Sequence, residues 1–258
     1  MHQSDYITGA QVPQPLAKRK QRARSSNFKK DTVIVQGGAL KTWTYLTPGI
    51  ERVQVEMYTE GRPLDADIEL WRGPDNTPQK IRVYIEDGSD RPFRAIIETP
   101  GSGNTVAVRN VAQVEFPLEA SLSTKVDITP MSFEAPRPLQ GGAIRSFPFD
   151  PYVESVAVEL STDGRPLNAR LELLQGPNNN KQVVEVYTED GLERPFHIIL
   201  ATPGAGNVLR VVNTASMEFP FSASVGIHSA GTPEDDYGDV VIGGDNFGGG
   251  FMAGVSQW

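Results

Sequence analysis

The chain has 258 residues, enough for two domains of ordinary size that each bury a core. It contains no cysteine, which excludes disulfides, thiolate metal sites, thiol nucleophiles and prosthetic groups held through thioethers. The net charge of −8 argues against nucleic acid as a partner of the whole molecule, and no apolar stretch approaches the roughly 20 residues of a membrane span.

Residues 1–32 show no strand or helix periodicity and form a basic extended arm. The arm carries two aspartates, Asp5 and Asp31, and these cationic side chains: Lys18, Arg19, Lys20, Arg22, Arg24, Lys29 and Lys30. Such a run is typical of solvated tails and of nuclear-import or nucleic-acid patches. It also suits an arm that lies along an acidic protein surface. The candidate partner-binding residues of this arm are Lys18, Arg19, Lys20, Arg22 and Arg24.

Residues 33–130 and 137–229 are two copies of one sequence unit. The segment 53–121 aligns with 156–224 at a constant offset of 103, and about half of the positions are identical by direct count. The recurring motifs are Gly61-Arg62-Pro63-Leu64 with Gly164-Arg165-Pro166-Leu167, Glu86-Asp87-Gly88 with Glu189-Asp190-Gly191, Arg91-Pro92-Phe93 with Arg194-Pro195-Phe196, and Glu115-Phe116-Pro117 with Glu218-Phe219-Pro220. The sequence therefore predicts two tandem homologous domains.

Apolar residues alternate along short segments of each copy, as in Val53, Val55 and Met57. A period of two indicates strands with one buried face. Turn residues rich in Gly, Pro, Asp and Asn separate these segments, which gives about eight short strands per copy. We therefore expect an all-β fold of two β-sandwich domains, jelly-roll-like, with extended N- and C-terminal arms. The order of the strands does not follow from the sequence.

Residues 230–258 form an acidic tail rich in glycine and aromatic residues. From Pro233 onward the tail contains no Lys or Arg, and its acids are Glu234, Asp235, Asp236, Asp239 and Asp245. Widely spaced aromatic side chains on such a backbone suit an extended tether that inserts them into pockets on partners. The candidate partner-binding residues of the tail are Phe247, Phe251 and Trp258.

The histidines and the shared acidic residues offer little evidence for catalysis or metal binding. The three histidines, His2, His197 and His228, have no counterparts between the copies, and Arg94 takes the place of His197 in the first copy. We therefore interpret His197 as a solvated or interfacial side chain. The acids shared by both copies are Glu56/Glu159, Glu69/Glu172, Glu86/Glu189, Asp87/Asp190 and Glu115/Glu218. Paired carboxylates hydrolyse glycosides, but Asp87-Gly88 and Asp190-Gly191 have the character of hairpin turns, with Arg91 and Arg194 as ion-pair partners.

At some positions the two copies differ, as at Trp71 and its counterpart Leu174, and at such positions each copy could carry a function of its own. Aromatic side chains on a sandwich face bind sugars by stacking, although Trp43, Trp71 and Trp258 form no evident platform. A carbohydrate-binding or cell-surface module and a hydrolase therefore remain as alternatives. We expect no enzyme activity, no cofactor and no metal site.

The repeated motifs, from Gly-Arg-Pro-Leu to Glu-Phe-Pro, resemble those of plastid proteins of red-lineage algae, and the whole is similar to the accessory, colourless linker proteins of red-algal phycobilisomes. This resemblance covers residues 33–226. It implies a non-catalytic linker that stabilises a light-harvesting antenna, with acidic phycobiliproteins and other linkers as partners. It also implies a location in the plastid, at the stromal face of the thylakoid membrane.

Overall fold

The computed structural model describes residues 32–126 and 132–231, which form strands and connections alone. The first copy forms eight strands: β1 (Val33–Val35), β2 (Leu40–Tyr45), β3 (Arg52–Tyr58), β4 (Leu64–Arg72), β5 (Gln79–Ile85), β6 (Phe93–Glu98), β7 (Asn104–Asn110) and β8 (Leu118–Ser123). The second copy follows the short β9 (Ser132–Phe133) and forms eight more: β10 (Arg137–Leu139), β11 (Ile144–Pro148), β12 (Val153–Ser161), β13 (Leu167–Gln175), β14 (Asn180–Thr188), β15 (Phe196–Ala201), β16 (Asn207–Asn213) and β17 (Phe221–Ala230). The all-β class predicted from the sequence is confirmed.

The strands form two antiparallel sheets, which we call sheet A and sheet B. Sheet A has the order β1-β8-β3-β6-β15-β12-β17-β10, with β9 also paired to β17, and sheet B has the order β11-β16-β13-β14-β5-β4-β7-β2. Inward-facing side chains of both sheets form one buried apolar cluster, whose largest members include Phe93, Phe196 and Met57. The predicted β-sandwich is confirmed.

Each copy has the same internal strand order. With β1 and β10 counted as the first strands of the two copies, each copy places its strands one, eight, three and six in sheet A. Its strands two, seven, four and five lie in sheet B. This is the order of a jelly roll, in which two Greek keys fold an antiparallel ribbon into two layers. Buried asparagines brace the open ends, since Asn110 donates to the carbonyls of Val35 and Phe116, and Asn213 donates to those of Leu139 and Phe219.

Both sheets run without interruption from one copy into the other. Strand β5 pairs with β14 in sheet B, and β6 pairs with β15 in sheet A. At the centre of these pairings Arg82 lies opposite Glu185, and Ala95 lies opposite Ile198. Both pairs join positions that correspond at the offset of 103, so an approximate twofold axis passes through both sheets. The division into domains at 33–130 and 137–229 stays a prediction.

The segments after β5 and β14 differ from the hairpins predicted for them, because β5 lies in sheet B and β6 in sheet A. Asp87 does accept hydrogen bonds from the backbone of the next residues, as expected, through Oδ1 at 2.9 Å from the Ser89 nitrogen. Gly88, however, does not have the positive φ predicted for it. A Cβ at Gly88 would instead collide with Thr59, so close approach is what requires glycine.

The extensions fall almost wholly outside the described residues. Only Thr32 of the basic arm and residues 230 and 231 of the acidic tail are described. The predicted partner-binding residues all lie outside the described residues and stay predictions: Lys18, Arg19, Lys20, Arg22, Arg24, Phe247, Phe251 and Trp258.

Candidate interaction surfaces

The junction between the two copies is held by polar contacts in addition to the paired strands. Lys181 Nζ lies 2.6 Å from Glu86 Oε2, and Arg91 Nη2 donates to Gln175 Oε1 at 2.8 Å. Inside the sandwich, Gln79 Nε2 donates to Thr188 Oγ1 at 3.2 Å. Arg91 thus donates a hydrogen bond across the junction, and its predicted ion pair with the acids of its own motif stays a prediction. These contacts fix the two copies as one body.

The second arginine of the repeated motif, Arg194, is also buried. Its Nη1 lies 2.6 Å from Glu193 Oε2, the neighbouring residue, and Arg72 approaches the same carboxylate at 3.7 Å from the other copy. Glu193 therefore links two arginines across the junction.

His197 lies on the outer face of sheet A, where β15 meets β6. Its Nε2 is 3.7 Å from Glu98 Oε1, and its Nδ1 is 3.9 Å from Glu159 Oε2. Burial lowers the pKa of His197 most, while the charge of Glu159 raises it and that of Arg52 lowers it. Burial likewise raises the pKa of Glu98, although Arg52 lies 3.2 Å away. The interfacial interpretation of His197 agrees with this position between the copies.

The acids shared by both copies engage in contacts suited to structure. Glu56 pairs with Arg94 at 2.8 Å, and Glu172 pairs with Arg170 and Arg210, each at 2.9 Å. Among the described residues, no group of three or more His, Asp or Glu side chains could hold a metal ion. The absence of catalysis stays a prediction.

The two described tryptophans, Trp43 and Trp71, do not form a shared sugar-binding face. Trp43 is half-buried and packs against the core from β2. Trp71 points outward from β4 and donates through Nε1 to Glu69 at 2.7 Å. The carbohydrate-binding alternative therefore finds no support in the two described tryptophans.

Edge strands lie at both ends of the sandwich. The first copy ends in β1 of sheet A and β2 of sheet B, and the second ends in β10 of sheet A and β11 of sheet B. Ile34 on β1 is 58% exposed and Ile144 on β11 is 60% exposed. Strand edges carry unpaired backbone groups that pair readily with another chain. Pro138 on β10 and Pro148 on β11 fit these edges, because proline within a sheet is confined to edge strands and strand ends, although no edge strand was predicted from them.

A cleft of about 600 Å³ opens at the end of the second copy. Its lining combines apolar side chains with charged ones: Phe147, Phe149, Ile227, Arg137, Arg145 and Asp150. Arg145 Nη1 is buried there without a hydrogen-bond partner among the described residues. The sequence did not predict this cleft, because its walls come from strands far apart in the chain.

The chain matches the sequence model of one known protein family. The sequence model of a family described as diatom pyrenoid shell protein matches residues 25–226. This match spans both copies of the repeat. The chain belongs to the diatom pyrenoid shell protein family. The predicted kinship with phycobilisome linkers is therefore wrong, and with it the light-harvesting function. The predicted phycobiliprotein partners find no support in this family. The resemblance rested on turn motifs, which serve the architecture of the fold.

No curated protein matches the chain. Among solved structures, the crystal structure of the PBSX exported protein XepA is 11% identical, covers 78% of this chain and 88% of its own, and superimposes with a TM-score of 0.23. Such a low TM-score carries no argument about function. Within the described residues, no helix is long and apolar enough to cross a membrane.

Proposed function

We propose that this chain is a structural protein of the pyrenoid shell that acts without catalysis, by packing side by side with copies of itself. The observation that carries the proposal is the family match over residues 25–226, which includes nearly the whole sandwich. Pyrenoids lie in the plastid, so membership of this family supports a plastid location. A position on the thylakoid membrane has no such support.

The shape of the fold supports a role in a thin layer. Eight strands at a spacing of about 4.8 Å make each sheet roughly 38 Å wide, and two sheets stack about 10 Å apart. Continuous sheets make the two copies a single slab rather than two beads on a linker. A slab with strand edges at both ends is suited to lateral assembly, because each end presents backbone groups that another copy can pair with.

The proposed lack of catalysis is supported by the contacts of the acids that both copies share. Glu56, Glu86 and Glu172 all have cationic partners within 3 Å. The pairs Glu56–Arg94 and Glu172–Arg210 join different strands of one copy, and Glu86–Lys181 joins the two copies. Carboxylates engaged in this way maintain the fold and are not held ready for proton transfer.

Assembly of the purified full chain tests the proposal. We expect it to form extended layers or tubes in electron micrographs, with strong light scattering. Ile144→Lys places a charge on the exposed edge strand β11 and should slow assembly at least about ten-fold, because edge lysine opposes strand pairing. Since Ile144 is 60% exposed, the variant should keep the stability of the parent.

Leu192→Lys is the matched control, because Leu192 is 66% exposed but lies in the loop between β14 and β15, away from the edges. It should assemble like the parent chain. A parent chain that stays monomeric at every concentration and salt would contradict self-assembly. If Ile144→Lys assembled as fast as the parent, the edge would not be the contact.

A further inference from the structure

The outer face of sheet A is buried where a sandwich face is normally open to solvent. Ile96, Ile199 and Ala157 alternate with core residues on β6, β15 and β12, and so point away from the core. Yet Ile96 keeps 2% of its accessible surface, Ile199 4% and Ala157 none. Antiparallel sandwiches usually leave such outward positions solvated.

The outer face of sheet B is more exposed than that of sheet A where the two copies meet. Its outward residues Tyr84 on β5 and Tyr187 on β14 are 43% and 38% exposed. The two faces are therefore unlike, although the strands that form them are related by the same approximate symmetry. Within residues 32–126 and 132–231 the strands form only these two sheets, so no described element adds a third layer over sheet A.

The chemistry of the covered face indicates what lies against it. Outward carboxylates on its central strands are Glu56, Glu98 and Glu159. The face also carries Arg94, which pairs with Glu56 at 2.8 Å, and Arg52, which pairs with Glu98. Glu159 has only His197, at 3.9 Å, as an ionisable partner among the described residues. Glu98 is nine-tenths buried, and its Oε1 forms an ion pair with Arg52 at 3.2 Å but receives no well-aligned hydrogen bond from the described residues. A carboxylate accepts several hydrogen bonds, so Glu98 has acceptor capacity left for further donors. The face therefore suits a segment that brings apolar surface together with cations.

The two extensions of the chain differ in charge. Residues 1–31 carry seven Lys and Arg against two Asp, whereas residues 233–258 carry five acids and no Lys or Arg. Only the first complements carboxylates; the second would add like charge to them. The arm also joins the described chain at Thr32, next to β1, which is the edge strand of sheet A itself.

The arm is long enough to cross the face. From β1 to β12 there are five strand-to-strand steps, which at about 4.8 Å each span roughly 24 Å. The stretch from Lys18 to Thr32 reaches about 50 Å when extended. Its cationic residues therefore reach Glu98 and Glu159 with chain to spare.

We propose that residues 1–31 of the basic arm dock across the outer face of sheet A of their own chain, with their cations against Glu98 and Glu159 and their backbone over Ile96 and Ile199. This interaction does not depend on the proposed shell function, since the arm and the face belong to one molecule. Its role is to close a surface that would otherwise be open to non-specific contacts.

Paired cysteines test the proposal, and the chain is suited to them because it has none of its own. The test pair is Arg22→Cys with Glu159→Cys on sheet A. The control pair is Arg22→Cys with Glu185→Cys, a glutamate 55% exposed on the outer face of sheet B. We expect a disulfide within one chain to form at least about ten-fold faster in the test pair, because docking raises the effective concentration.

Gel mobility and peptide mass spectrometry of the full-length chain give the readout over a range of protein concentrations. Equal rates for the two pairs would overturn the proposal. Disulfides that form mainly between chains, faster at higher concentration, would assign the arm to a neighbouring copy and overturn docking within the chain. Faster coupling of Asp239→Cys with Glu159→Cys than of the test pair would make the acidic tail the occupant.

The role of charge is tested in the same assay. Changing Lys18, Arg19, Lys20 and Arg24 together to Gln in the test pair should slow the disulfide several-fold, and so should about 0.5 M salt. An unchanged rate in both experiments would contradict docking through the carboxylates of the face.

Discussion

At the scale of single residues, the junction holds an ionisable pair in an unusual setting. His197 and Glu98 face each other across the strands β15 and β6 at 3.7 Å, and both are largely withdrawn from water. Burial disfavours the charged form of each, so it lowers the pKa of His197 and raises that of Glu98. No local sequence pattern indicates this pair, because the two residues are about one hundred positions apart in the chain.

The lowered pKa of His197 predicts how stability depends on pH. Below the ordinary histidine pKa of 6.5, the unfolded chain takes up a proton that the folded chain resists. The free energy of unfolding should therefore fall relative to the variant His197→Gln as the pH drops from 6.5 through the lowered pKa of the folded state. Above pH 7.5 or so the difference should be constant.

Denaturant unfolding of both proteins at a series of pH values measures this difference. Glu98 is present in both proteins, and its own effect runs the other way, because a raised carboxyl pKa favours the folded state at low pH. A difference that grew in favour of the parent chain on acidification would contradict the account.

At the scale of elements, the crossing segments after β5 and β14 determine how the two sheets are joined. Gly88 and Gly191 lie where the chain passes close to Thr59 and Thr162. Thr59 is held there by its own hydrogen bond to the Arg62 carbonyl at 2.5 Å. The neighbour therefore cannot move aside without losing a hydrogen bond.

We predict that Gly88→Ala lowers the free energy of unfolding by about 1–3 kcal/mol, because the added methyl overpacks a filled site. Gly49→Ala is the matched control, since a Cβ there meets no atom within 4 Å and the backbone φ is not positive. Chemical denaturation followed by circular dichroism compares them. Equal stability of the two variants would show that the crossing segment has room to relax.

Local sequence patterns predicted the strands, whereas the strand order and the pairing of the two copies depend on contacts between distant segments. Alternation along β3 and β5 identified strands because side chains of a strand point to opposite faces. Strand order, the β5–β14 pairing and the cleft at Phe147 depend on distant segments, which periodicity does not report. For the repeated Asp-Gly motif, the predicted hydrogen bonds from the backbone to the Asp87 side chain are present. Gly88, however, is required by its close contact with Thr59 and not by the predicted positive φ.

The candidate surfaces were less predictable than the fold. The arm and tail were chosen for charge and aromatic content, whereas the edges at Ile34 and Ile144 emerge only once the strand order is known. Motifs such as Gly61–Leu64 were interpreted as marks of a family of antenna linkers. They recur in both copies because the jelly-roll turns require them, and such motifs report architecture more reliably than function.

At the scale of the whole molecule, continuous sheets predict that the two copies unfold together. The described tryptophans, Trp43 and Trp71, both lie in the first copy, so their fluorescence reports that copy alone once Trp258 is changed to Phe. Leu209→Ala, a fully buried change in the second copy, should cost about 2–5 kcal/mol. The fluorescence and circular dichroism transitions should shift together and by the same amount.

Leu70→Ala, a fully buried change in the first copy, serves as the control for the same probes. It should also move both transitions equally. If Leu209→Ala shifted the transition seen by circular dichroism but left the fluorescence transition unchanged, the two copies would be independently unfolding domains.

The location of the protein in a living diatom tests the central claim, that this is a structural component of the pyrenoid shell. The measurement is immunogold electron microscopy of cells that express the full chain with a small epitope tag. We expect gold particles in a thin line around the pyrenoid matrix. Particles spread along the thylakoids, or lying outside the plastid, would contradict the assignment.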